Sequence, residues 1–229
     1  MDISWTKEGF FEHIYKGLTL FIRLSLLLTA LGAAHQHRLT IIFISLFTFF
    51  LTFAPNYLKK RYNFGLPLEF ELVIVIFLYF SLFLGEVHNY YVKYWWWDLL
   101  LHASSGIAFG FLGFIILYVL YRCNRFTMRP FYISLFAFTF AIALGAIWEI
   151  LEFTIDIILN TNMQKSGLLD TMTDLVLDTF GAALASILGY FYLKGGESRI
   201  MRKVLDGFID HNPRFFHFKK EKHTKTKKK

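Results

Sequence analysis

The sequence predicts an all-α, polytopic membrane bundle of about six transmembrane helices with both termini cytoplasmic. Three observations carry that expectation. The 229 residues are 55% hydrophobic and only 18% charged, too few charges to clothe a soluble domain of this size. The charges are also segregated, with none in stretches 39–55 and 131–148, as in a chain dissolved in lipid. Finally, Lys and Arg alternate between rich and poor loops in step with six spans.

Crossing a hydrocarbon core of about 30 Å takes roughly 20 helical residues, and six segments qualify. The first, 18–34, follows a stretch with Asp2, Glu8 and Glu12 and no small-residue cleavage site, so it reads as a retained helix rather than a signal peptide. The second, 39–54, is short, suits a tight hairpin with the first and ends before Pro55. The third, 68–84, begins after Pro67, and the fifth, 131–159, after Pro130. A proline at a helix boundary is tolerated because its missing N–H has no partner there. The fourth, 98–121, is preceded by Tyr90, Tyr91, Tyr94, Trp95, Trp96 and Trp97, an aromatic group suited to the headgroup layer. The sixth is 171–193. Residues 1–193 thus form the transmembrane domain and 194–229 a basic cytoplasmic tail. The single cysteine, Cys123, excludes a disulfide framework or a Cys-based zinc site within one chain.

With a cytoplasmic N-terminus, the inside segments hold Lys7 and Lys16, then Lys59, Lys60 and Arg61, then Arg122, Arg125 and Arg129, and every cation from Lys194 onward. The outside loops hold only Arg38, Lys93 and Lys165. An odd number of spans would break this bias. The expected location is therefore a cell membrane, multi-pass, and the expected partner is membrane lipid. The tail over residues 218–229 is suited to anionic headgroups, or simply to being a solvated end that fixes topology. No nucleic-acid partner is expected, and the sequence specifies no protein partner.

The acidic residues then become informative. Glu86, Asp98, Glu149, Glu152, Asp156, Asp170, Asp174 and Asp178 belong to the outer half. Asp98 and His102 are spaced i, i+4; Glu149, Glu152 and Asp156 are i, i+3, i+7; Asp170, Asp174 and Asp178 are i, i+4, i+8. Each set leaves one face of its helix. Twenty residues separate Arg122 from His102, Arg129 from Glu149 and Lys194 from Asp174, about 30 Å in each case. Helices that bring ionisable groups to one depth can share one site.

Carboxylates gathered at that boundary need a cation, shared protons or water. A divalent metal fits, with Asp98, His102, Glu149, Glu152, Asp174 and Asp178 as candidate ligands. One imidazole among carboxylates suits zinc, manganese or iron; carboxylates alone suit magnesium or calcium. Glu149, Glu152 and Asp178 are the candidate catalytic residues, a free carboxylate serving as base. The plainer alternative is that these acids solvate helix ends, Asp156 and Asp170 above all.

Ser104 and Ser105 beside His102 admit a Ser–His–Asp nucleophile. With Gly106, Gly110 and Gly113 they also form a small-residue face for close helix packing, the better reading, and Gly181, Ala182, Ala183 and Ala185 form another. Arg23 lies inside the first span and can snorkel. His35, His37 and His88 read as surface histidines. Apart from Arg23, no ionisable group is placed deeper than Asp178, which favours a one-sided site over a carrier.

The segments Trp97-Asp-Leu-Leu-Leu-His102, Trp148-Glu-Ile-Leu-Glu152 with Asp156, and Asp170-Thr-Met-Thr-Asp174 with Asp178, Gly181 and Ala182 resemble the YjdF-type family of bacterial inner-membrane proteins. Their order is also similar to the wider VanZ-like arrangement, with Glu152 where Gln is usual and Asp178 where Asn is usual. The resemblance covers residues 86–190 and implies a bacterial cytoplasmic-membrane protein; it implies no reaction. Three classes remain: metal-assisted hydrolysis or group transfer on a lipid or envelope precursor, a proton or cation carrier, and a non-catalytic envelope or resistance factor.

Overall fold

The computed structural model describes residues 7–122, 128–195 and 198–213; Cys123, Arg125 and the basic run 218–229 lie outside them. Every regular element among the described residues is helical. Six segments are long and apolar enough to cross a membrane: Glu12–His35, Leu39–Tyr62, Leu68–Val87, Trp97–Tyr121, Pro130–Ile158 and Leu168–Leu193.

The first span, α1 (Lys7–His35), and α2 (Leu39–Leu51) pair as the expected tight hairpin. The second span is longer than expected because it is broken rather than ended. It resumes as α3 (Ala54–Tyr62), with Pro55 in the first turn. A proline ring clashes with the carbonyl four residues back, here Leu51, the last residue of α2. Arg23 repairs the break: its guanidinium donates to Thr52 Oγ1 (3.0 Å) and to the Thr52 carbonyl (3.1 Å) and lies 3.7 Å over the Phe53 ring. An intramembrane arginine is thereby used to satisfy backbone that lipid cannot.

The third span is α4 (Leu68–Leu78) continued by a π-helical segment, Tyr79–Val87. A core of Ile22, Leu26, Val75 and Phe83 holds it against α1. One turn into α4, Glu71 is fully buried, accepting from Tyr15 Oη (3.0 Å) and paired with Lys59 of α3. The absence of ionisable groups beyond Asp178 is therefore corrected. Glu71 is such a group, stable there because two distant elements supply its partners.

After α5 (Tyr90–Lys93), the helices α6 (Trp97–Arg122), α7 (Pro130–Leu159) and α8 (Leu168–Leu193) form a second, more intimate unit. Small residues make it possible. Gly106 lies on the Asp178 backbone, Gly181 on the Ala103 carbonyl and Gly110 on Ala185, with no room for a side chain at any of them. Without a hydrophobic drive between helices in lipid, such close approach supplies much of the attraction.

Within the segment after the last span, α9 (Arg199–His211) is amphipathic, capped by the Ser198 hydroxyl. It buries Met201 and Leu205 against Phe114, Ile115, Tyr118, Ile133 and Ala137. Beyond it, Asn212 accepts from the Gly65 N–H (2.7 Å) and donates to the Gly65 carbonyl (2.6 Å). This clasp on the α3–α4 loop joins the two three-helix units.

Candidate functional site

Helical register decides which side chains meet at the opposite end from α9. Asp98 and His102 are one turn apart on α6, Asp174 and Asp178 one turn apart on α8, and α7 offers Glu149. Gly145 faces the Asp178 carboxylate with no space for a side chain, so α7 and α8 approach closely here.

His102 is the hub, and its two nitrogens divide the acids. Nε2 lies 3.7 Å from Asp98 Oδ1, 3.9 Å from Glu149 Oε1 and 3.9 Å from Asp174 Oδ2. Nδ1 lies 3.4 Å from Asp178 Oδ2, and the Ser105 hydroxyl donates to Asp178 Oδ1 (3.2 Å). A neutral ring that gives its Nδ1 proton to Asp178 would present Nε2 as an acceptor to the three carboxylates, and a protonated ring would donate from both nitrogens. Asp98, His102 and Asp174 offer ligand atoms within 4.8 Å of one another, a group able to hold a metal ion.

Glu149 is the most telling member. It is 4% exposed, and neither carboxylate oxygen makes a hydrogen bond within 3.5 Å; His102 Nε2 is 3.9 Å away. Two like charges 4 Å apart repel by about 4 kcal/mol at an effective dielectric near 20. A buried carboxylate with open lone pairs beside two others calls for a positive partner.

Beside the cluster is a cavity of about 290 Å³ between the two units. Its polar wall includes Asp98, His102, Ser105, Glu152 and Asp178; its apolar wall includes Phe77, Leu144, Trp148 and Leu151. Glu152 therefore borders the cavity without contacting the His102 ring. Of the six residues expected as ligands, the structure places Asp98, Glu149 and Asp174 on one side of His102, Asp178 on the other and Glu152 on the cavity wall. Glu86 is half-buried with Lys165 and Asp98 as charged neighbours. Asp156 and Asp170 stay out of the His102 cluster. Asp156 instead accepts from Thr161 Oγ1 (2.6 Å), Met163 N (2.7 Å) and Gln164 N (2.9 Å), tying down the α7–α8 loop.

That loop supplies a residue sequence reasoning missed. Lys165 Nζ donates to Asp98 Oδ2 (2.8 Å) and lies 4.2 Å over the Tyr91 ring. Gly167, at φ +64°, makes the turn into α8, a conformation that a side chain would strain. Tyr91 is the second such residue. The aromatic run assigns it to the headgroup layer, but it turns inward onto Gly85 and lines the cavity. Burial first, then the carboxylates of Asp98, Glu86, Glu152 and Asp174, hold its phenol well above the ordinary tyrosine range, so it stays neutral. Trp97 is also buried, against Phe80 and Tyr90. The sequence signal for Lys165 was its place among the three cations of the outside loops. His35, His37 and His88 are exposed and take no part.

Comparison with known proteins agrees with the architecture. The family model described as "Predicted membrane protein (DUF2238)" matches residues 17–195, and the chain belongs to that family. An uncharacterised protein of Thermotoga maritima is 33% identical over 139 residues, covering 60% of this chain and 71% of the relative. No solved structure matches the chain.

Proposed function

We propose that this DUF2238 member binds one divalent metal ion at the His102 cluster and uses it for hydrolysis or group transfer on a lipid or envelope precursor. The observation that carries the reading is the buried, unpartnered Glu149 carboxylate facing His102 Nε2 beside Asp98 and Asp174. Solvated helix ends would leave those oxygens in water or in hydrogen bonds.

Asp98, Asp174, Glu149 and His102 Nε2 would hold the ion, an oxygen-rich set with one imidazole that suits manganese, iron or zinc. Asp178 is a positioning residue: accepting a hydrogen bond from Nδ1–H would fix the ring and its tautomer, as carboxylates behind metal-bound histidines do. The ion would polarise a substrate oxygen and acidify bound water. Glu152, on the cavity wall, serves as the base. The apolar wall suits the hydrocarbon of an amphiphile whose polar end meets the carboxylates.

The loop charges support placing this end at the outer face of a bacterial cytoplasmic membrane, with both termini inside. The YjdF-type resemblance supports the same location; the VanZ-like order of motifs adds no reaction. A carrier would need free ionisable groups through the bilayer, but Glu71 is already engaged by Lys59 and Tyr15.

Elemental analysis of detergent-purified protein tests the proposal. About one equivalent of a divalent transition metal is expected after loading and dialysis, and most of it should be lost in Glu149→Ala. A metal-free wild type, or equal metal in both proteins, would sink it.

A further inference from the structure

We infer that Lys165 is a specificity-determining residue that directs the site to a phosphoryl-bearing head group; the inference rests on the metal reading above. Asp98 is shared: Oδ1 faces His102 Nε2 at 3.7 Å, while Oδ2 accepts from Lys165 Nζ at 2.8 Å. An ion held at Oδ1 would leave the lysine on Oδ2, so the two would share the Asp98 carboxylate, as where a metal and a lysine clamp one phosphoryl group.

The loop is built to hold the lysine in place. Three hydrogen bonds to Asp156 and one from Gln164 Nε2 to Thr171 Oγ1 (2.7 Å) fix the residues on either side of it. The ammonium has three donors, and one is directed to Asp98. Asp98 and Tyr91, which the ammonium meets, both line the cavity, and the Glu86 and Asp170 carboxylates are its further charged neighbours. Among the carboxylates of Asp98, Glu86 and Asp170, Lys165 is a cation that an anionic group would meet beside the metal ion.

The test measures the thermal midpoint of detergent-purified protein in saturating Mn²⁺ while one of three probes is titrated: dihexanoyl phosphatidate, dihexanoylglycerol or inorganic phosphate. Phosphatidate should raise the midpoint and the neutral diglyceride should not. Lys165→Met should weaken the phosphatidate response roughly tenfold or more, as expected for losing a charged hydrogen bond, and Lys165→Arg should retain most of it. An intact Mn²⁺ response in Lys165→Met shows that this variant is folded. Inorganic phosphate acting as well as phosphatidate would support the phosphoryl site and assign it to the free anion. Equal responses to phosphatidate and diglyceride, or an unchanged phosphatidate response in Lys165→Met, would overturn the inference. If Mn²⁺ alone has no effect but the Lys165-dependent phosphatidate response persists, the metal reading falls and the anion site stands.

Discussion

The two three-helix units bury ionisable groups in opposite ways. In the α1–α4 unit, Glu71 is met by Lys59 and Tyr15, and Arg23 is consumed by the broken backbone at Thr52. Both of these groups have a protein partner. In the α6–α8 unit, Asp98, Asp174 and Glu149 converge on one imidazole nitrogen, and Glu149 has no hydrogen-bond partner. The first arrangement completes itself; the second leaves the Glu149 oxygens without a hydrogen bond. Burial of charge alone does not distinguish structure from function in a membrane, but the state of its partners does.

The largest effect should come from breaking the self-contained side. Glu71→Ala leaves the Lys59 ammonium unpaired and should cost about 3–5 kcal/mol, read as a lower thermal midpoint that is equally low with and without metal. A loss confined to metal-loaded protein would dissolve the contrast. Next comes Glu149→Gln. Metal at about a hundredfold over its dissociation constant stabilises by roughly 2.7 kcal/mol, and this variant should lose most of that rise. In chelator the same variant should be neutral or more stable, because a repelling charge is gone. Equal, mild effects under both conditions would make the acids ordinary helix ends.

A smaller effect tests whether helix approach sets the site. Gly181→Ala places a methyl group against the Ala103 carbonyl and should cost about 1–3 kcal/mol, with weaker metal response because α6 and α8 separate. Preserved metal response despite the lost stability would show that the cluster tolerates that shift. The smallest effect belongs to Thr52→Val, which removes the hydroxyl that Arg23 engages while keeping the carbonyl contact. About 1 kcal/mol is expected, with metal response unchanged.

What was legible in the sequence is what a single helix encodes. A rise of about 1.5 Å per residue places His102, Glu149 and Asp174 at one depth, and i, i+4 spacing puts Asp98 with His102 and Asp174 with Asp178. The six spans follow from long apolar runs with few charges. Partners contributed by another part of the chain were not legible. Nothing local in Lys165 shows that its loop folds back 67 residues to Asp98, or in Lys59 that it meets Glu71. Tyr91 was assigned to the headgroup layer because composition does not reveal the direction of a side chain in an aromatic run. The second span was cut short at Pro55 because a proline signals a break, while only the structure shows Arg23 bridging it.

The Asn212 clasp also bears on the order of assembly. Its two partners are 147 residues apart, so Gly65 leaves the ribosome well before Asn212 exists. At about 5–20 residues per second, that interval is roughly 7–30 s. During that time the α1–α4 unit stands in the bilayer with its loop unclasped, and its internal Glu71–Lys59 pair is available to hold it. The unit whose Glu71 and Arg23 are paired within the protein is thus the one made first, and the clasp records that synthesis has passed the last span.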